Sequence, residues 1–272
     1  DTGMDDIGPF TFNAVRFFIG FLAILPVALL FETKKFKIEF KIGYRYFVIL
    51  SCFIGLSLFL GSALQQIALL YTDVANAAFF TIFYVPMVPI ILFIFKRNSL
   101  HWSVWPSVIL CLIGGYLLTS FYDATVRLGD TLVILGALFW STHIIFTGMI
   151  IAKYNLPITI GAVQTLIVAI FSFLIGSVYE EFIFENIINE IDSILYAGIL
   201  SGGLAFVLQI YAQKNITPAP AAIIFSLEGV FATVAAWFLL NQILDINNLL
   251  GCLFILSGVL FSQLVPLIKR TS

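Results

Sequence analysis

The stretch Ser62–Phe95, SALQQIALLYTDVANAAFFTIFYVPMVPIILFIF, decides the fold, because it reads as two apolar helices joined by a tight, weakly polar turn. It also recurs. A shift of 144 positions lays Gln65 on Gln209, Ala68 on Ala212, Ala75 on Ala219, and Ala77 and Ala78 on Ala221 and Ala222. The echo, LQIYAQKNITPAPAAIIFSLEGVF, runs from Leu208 to Phe231. A second register, offset by 148, lays Pro9 on Pro157, Thr11 on Thr159, Ala14 on Ala162 and Val15 on Val163. Two registers of this kind mark a duplicated chain.

Composition sets the surroundings. With 61% hydrophobic residues, 10% charged residues and a mean hydropathy of +1.08, the chain departs from soluble domains, in which about 25% of residues are charged. It belongs in a bilayer, where an internal repeat is a pattern of secondary transporters. The net charge of -2 is carried in short clusters between apolar runs, so no basic face forms and no nucleic-acid partner is expected. Cys52, Cys111 and Cys252 each fall inside an apolar segment without metal-ligand spacing, which favours helix packing over a disulfide or a metal site. No cofactor is expected. The start, DTGMDDIGPF, lacks the basic n-region and apolar h-region of a cleavable signal.

Nine apolar segments are long enough for a hydrocarbon core of about 30 Å, which takes roughly 20 helical residues. They are approximately 10–31, 47–70, 74–95, 103–120, 130–152, 157–178, 194–214, 218–240 and 247–268. Continuous apolar runs, without the alternation of a membrane barrel, predict helices that satisfy their own backbone hydrogen bonds. The fold class is therefore an all-α integral membrane protein.

Alternate connections differ in charge. Lys34, Lys35, Lys37, Lys41, Arg45, Lys96, Arg97, Lys153, Lys214, Lys269 and Arg270 fall on one side, against Arg127 on the other and Arg16 just inside a helix. The positive-inside rule makes the first side cytoplasmic, with the C-terminus there. Asp73, Asp123, Asp130 and the acidic stretch Glu180–Asp192 lie opposite.

The second half carries an apolar helix before its Pro157 segment, whereas nothing apolar precedes the matching Pro9 segment. The expectation is ten helices in two halves of five, the first helix missing from this sequence, with half-repeats at 1–121 and 129–272 joined through Asp123–Gly129. Five helices per half insert the halves in opposite orientations, an inverted repeat.

Several stretches resemble the EamA family of the drug/metabolite transporter superfamily. They are Gly8–Phe17 (GPFTFNAVRF), Gln66–Thr72 with Ala77–Pro86, Gly129-Asp130 with Ala137–Trp140, and Gln209–Ala232 containing Ser226-Leu227-Glu228. The resemblance covers nearly the whole chain. It implies a ten-helix inverted repeat with a central cavity that exports amino acids or other small metabolites.

Glu228 is an acidic residue deep in a segment, about ten residues past Pro218, hence near mid-membrane. A carboxylate there is costly unless paired, hydrated or protonated. It is a candidate to bind a substrate amine or take a proton during transport; the bland reading is a neutral Glu bonded to a neighbouring helix. Its repeat mate is Tyr84. Trp140 and His143 are three residues apart and share a helix face, offering an aromatic wall and an imidazole, or plain packing. Gln65 and its mate Gln209 can hydrogen-bond a zwitterion or tie helices together, as can Gln66 and Gln213. Pro86 and Pro89 interrupt one helix, as a gating hinge or a static kink. Arg16, near Asn13, either pairs at the outer gate or snorkels. The linker Glu32–Arg45 reads as a solvated basic loop, with a lipid-surface segment as the alternative. Gly114-Gly115 and Gly251 with Gly258 permit close helix contact, within a half or between protomers.

Two functions share this fold: a secondary carrier exporting a small metabolite by alternating access, and an importer of sugars, nucleosides or nucleotide sugars. Neither uses ATP, as no GxxxxGK[ST] loop is present. An intramembrane enzyme is disfavoured, because His101 and His143 are the two histidines and neither HExxH nor GxSxG occurs. A channel is disfavoured by scattered polar positions. The expected partners are a small-molecule substrate and membrane lipid, with the chain a monomer or homodimer in the cell (inner/plasma) membrane.

Overall fold

The computed structural model describes residues 7–96, 100–118, 127–240 and 243–268. Positions 123–126 of the expected connection, and the basic residues Arg97, Lys269 and Arg270, lie outside them. Among the described residues every regular element is helical: α1 (Pro9–Phe31), α2 (Thr33–Ala68, kinked at Gly43), α3 (Val74–Thr81), α4 (Tyr84–Lys96), α5 (Val104–Leu118), α6 (Leu128–Tyr154), α7 (Pro157–Tyr179), the short α8 (Phe184–Asn189) and α9 (Ile191–Tyr196), a π-helical segment (Ala197–Ala205), α10 (Phe206–Ala212), α11 (Pro218–Phe225), α12 (Leu227–Leu240) and α13 (Ile246–Ile268). Among the described residues eight stretches are long and apolar enough to cross a bilayer, and Val104–Leu118 is a shorter apolar helix; together they fall on the nine expected segments. Pro9, Pro157 and Pro218 each open a helix, where the missing N–H costs nothing because the first turn has no acceptor for it.

The chain forms two compact units. The first holds Asp1–Ile67 and Phe146–Asn215, the second Ala68–Ile145 and Ile216–Ser272.

In unit one, α1 and α7 are the same length and begin at repeat-related prolines. They run antiparallel, each closing the other's N-terminus. Glu180, just past α7, accepts hydrogen bonds from Phe10 N (2.9 Å), Thr11 N (2.7 Å) and Thr11 Oγ1 (2.7 Å). Glu32, just past α1, accepts from Ile158 N (3.2 Å), Thr159 N (2.7 Å) and Thr159 Oγ1 (2.7 Å). Under the 148-residue register the two sets exchange, donors Phe10 and Thr11 answering to Ile158 and Thr159 and acceptor Glu32 answering to Glu180, so the inversion of the repeat is visible in hydrogen bonds. Chemically, each carboxylate satisfies N–H groups that a helix start leaves open and lies where the dipole favours negative charge.

The π-helical segment packs against α1 through glycines. A Cβ on Gly20 would stand 2.8 Å from Gly198 O, and one on Gly198 would stand 2.6 Å from Arg16 O. Phe47, Leu50, Ile54, Ile150, Ile151, Tyr154 and Leu156 form part of a buried core, with the Tyr154 hydroxyl donating to Gly43 O at 2.8 Å. The expected loop at Glu32–Arg45 is instead helical, and Phe36 packs on that core with its ring edge-on to Phe47. Apolar residues interleaved with Lys thus give a partly buried helix where charge alone suggested a solvated loop.

In unit two, α5 and α13 form a second antiparallel pair. Gly114 and Gly251 face each other, each Cβ position within 2.8 Å of the other's carbonyl oxygen, and Gly258 meets Ser107 O. These contacts join the two halves of one chain, where the spacing suggested packing within a half or between protomers. At the start of α6, buried Asp130 accepts from Arg127 N (2.8 Å) and from the Thr72 hydroxyl, while Arg127 Nη1 pairs with Asp73 Oδ2 at 2.7 Å. A Cβ on Gly129 would stand 2.7 Å from Ala68 O, so glycine lets this corner close.

Candidate functional site

Two membrane spans of unit two are broken in the middle, and the breaks are repeat mates. Span Asn76–Phe95 is interrupted between α3 and α4, and span Pro218–Leu239 between α11 and α12. Both broken helices start from the same extended conformation, at Asp73 (φ -73°, ψ 149°) and Thr217 (φ -68°, ψ 154°). They end their first halves alike, at Ile82 (φ -57°, ψ -18°) and Ser226 (φ -60°, ψ -14°). The 144-residue offset relates both pairs.

At each break the hydrogen bonding tightens from four residues to three. Ile82 N and Phe83 N donate to Phe79 O and Phe80 O, and Val85 N donates to Ile82 O at 2.9 Å. Gly229 N likewise donates to Ser226 O at 3.3 Å. The Ile82 carbonyl, which loses its usual partner to Pro86, is therefore satisfied by Val85. Pro86 sits in the first turn of α4 and Pro89 lies inside it. Neither has a proline mate in the second half, where Val230 and Thr233 stand, so the second break forms without proline.

Two residues beyond each break come Tyr84 and Glu228. Tyr84 is 4% exposed, and its hydroxyl has no hydrogen-bond partner among the described residues. Glu228 lies in the first turn of α12 and is exposed. The Glu228 carboxyl and the Cys111 thiol both lie close enough to act electrostatically on the Tyr84 phenol. Ser226 completes the group: its hydroxyl is 2.6 Å from Ile223 O and 3.4 Å from Cys111 Sγ. An exposed carboxylate at mid-span faces either hydrocarbon or water. Hydrocarbon is costly for a charged carboxylate. The N-terminal end of the half-helix also favours its negative charge.

On α6, Trp140 and His143 meet edge to face, ring centroids 6.1 Å apart, as their spacing predicts. His143 is fully buried and Trp140 half-buried. Ser141, between them, donates to Ala137 O at 2.7 Å and lies 3.5 Å from Tyr84 O. Gln65 and Gln209 are half-buried and belong to unit one, whereas Tyr84, Trp140, His143 and Glu228 belong to unit two. Arg16 donates from Nε to Asn13 Oδ1 at 2.9 Å and lies over the faces of Phe12 and Phe17. Cys111 and Ser226 were not legible as site residues, although the 144 register does set Ser226 opposite Ile82.

Comparison with known proteins agrees with this architecture. The model of the EamA-like transporter family matches residues 1–120 and 127–264. An uncharacterised transporter of Archaeoglobus fulgidus is 30% identical over 261 residues, which is 96% of this chain and 79% of the relative. An uncharacterised transporter of Bacillus subtilis, YoaV, is 24% identical over 94% of this chain and 88% of its own length. A solved crystal structure superposes with a TM-score of 0.79 at 16% identity, covering 100% of this chain and 91% of the other; at that identity it bears on the fold alone. The chain is a multi-pass membrane transporter that belongs to the EamA-like family.

Proposed function

We propose that this transporter is a secondary carrier exporting amino acids or similar small amine-bearing metabolites by alternating access, from a site built on the two broken helices of unit two. The observation that carries the reading is the paired interruption at Ile82 and Ser226, which sets Tyr84 and Glu228 just inside two half-helices near mid-membrane. Discontinuous helices of repeat-related origin are where secondary transporters hold substrate and coupling ions. Glu228 binds the substrate amine or exchanges it for a proton. Tyr84 offers an unused hydroxyl beside it. Trp140 lends an aromatic surface, and His143, enclosed by protein, keeps that face of α6 in place. Pro86, in the first turn of α4, holds the half-helix start; a hinge there flexes at Ile82–Phe83.

The reading places the carrier in the cell (inner/plasma) membrane, C-terminus in the cytoplasm, as a monomer or homodimer. It is a carrier and not an enzyme, a view supported by relatives named as transporters. No ATP or nucleic acid takes part.

The test of substrate class is counterflow in proteoliposomes, comparing a mixture of amino acids with mixtures of sugars, nucleosides and nucleotide sugars. Trans-stimulated uptake of an amino acid supports the reading. Exchange confined to sugars, nucleosides or nucleotide sugars would replace it with the importer alternative.

A further inference from the structure

A cavity of about 600 Å³ opens in unit one at the lysine-rich ends of the membrane helices. Its polar rim is Lys35, Asn155, Tyr211 and Lys214, and its wall includes Phe31 and Leu208. The chain brings these together at one depth. Phe31 is the last residue of α1, Asn155 closes the α6–α7 turn in a left-handed conformation (φ 42°), and Lys214 follows the end of α10. Glu32 also borders the cavity, but its carboxylate is 5% exposed and is taken up by the Thr159 hydroxyl and two backbone N–H groups. It keeps its negative charge but is turned into the start of α7, so the exposed charges at the cavity mouth are those of the two lysines. Neither Lys35 nor Lys214 makes an ion pair among the described residues, and both are exposed.

We propose that this cavity binds the phosphate of an anionic phospholipid, with Lys35 and Lys214 on the phosphate and the acyl chain along the Phe31 and Leu208 wall. Two ammonium groups fit a phosphodiester. Tyr211 and Asn155 offer hydrogen-bond donors to its oxygens or to a glycerol head. The apolar wall at the end of the spans selects an amphiphile over a free anion, and lysine-rich ends are those that the positive-inside rule sets against the anionic leaflet. The site shares no residue with the proposed substrate site and does not depend on which substrate is carried.

The test is lipid binding by the purified full chain in dodecyl maltoside, read by native mass spectrometry and by the melting temperature. Phosphatidylglycerol, phosphatidylcholine and inorganic phosphate are the probes. Phosphatidylglycerol is expected to bind and stabilise, phosphatidylcholine to do so more weakly, and inorganic phosphate not at all. Lys35→Gln and Lys214→Gln should each weaken phosphatidylglycerol binding about fivefold, and roughly twentyfold together. Lys34→Gln with Lys37→Gln, outside the cavity, should leave it unchanged, and Lys35→Arg with Lys214→Arg should retain it. Undiminished binding by the Gln pair, equal loss in the Lys34/Lys37 control, or loss in the Arg pair would overturn the proposal. Stabilisation by inorganic phosphate equal to that by the lipid would overturn it in favour of a free anion.

Discussion

Glu32 and Glu180 do one job at opposite ends of one helix pair, and neither announces it. In the sequence they read as a linker charge and as part of an acidic stretch. Extending the 148-residue register past Val15 and Val163 sets the two opposite each other, which is the signal that was there. Each carboxylate accepts three hydrogen bonds, and charge-assisted bonds of this kind leave buried donors unsatisfied when removed. Glu180→Ala is expected to cost about 2 kcal/mol, lowering the melting temperature in detergent by roughly 4–8 °C, whereas Glu181→Ala, at an exposed neighbour, should change it little. Equal melting of the two variants would contradict the clamp. Glu228, by contrast, was legible at once, because a carboxylate in the middle of an apolar span needs a reason. Ser226, two residues before Glu228, carries no local sign of the break, and Cys111 reaches Ser226 from α5 through packing that no local pattern encodes.

At the scale of elements, helix number and extent could be read from apolar run length, because a span must satisfy its own backbone hydrogen bonds and cross a fixed thickness. The interruptions could be read in part. Pro86 and Pro89 pointed to a kink in the first half, and the break falls at Ile82, the carbonyl that Pro86 leaves without its usual partner, yet the break at Ser226 has no proline. The π-helical segment was read as plain helix, although Gly198, Gly202 and Gly203 mark where backbone approaches backbone. If the break exposes Glu228 to water, Glu228→Cys should react with a membrane-impermeant thiosulfonate, while His143→Cys, fully buried, should not. The glycine contacts make a separate claim. Gly114→Ala forces a methyl to 2.7 Å from the Gly251 carbonyl and is expected to cost about 1–3 kcal/mol; Gly202→Ala, with its nearest atom at 3.5 Å, should be tolerated in the same melting assay.

Across the whole molecule, each compact unit draws on both halves of the sequence, an arrangement that repeat registers alone do not disclose. Division into half-repeats at 1–121 and 129–272 describes the duplication of the chain, and we propose it as the evolutionary unit, while α1–α7 and α5–α13 show how the repeats pair within each unit. Since α1 and α7 are clamped at both ends at once, the pair should move as one body during transport. Joining Thr11→Cys to Glu180→Cys and Glu32→Cys to Thr159→Cys with a short bis-thiosulfonate should preserve exchange, and abolished exchange would show that the pair separates. The central claim is that the carboxylate at the second break works in the transport cycle. Counterflow by the parent and by Glu228→Gln, reconstituted side by side at pH 6 and pH 8, tests it most directly. The account predicts exchange in the parent that is lost or made independent of pH in Glu228→Gln; full exchange with the parent's pH dependence in that variant would contradict it.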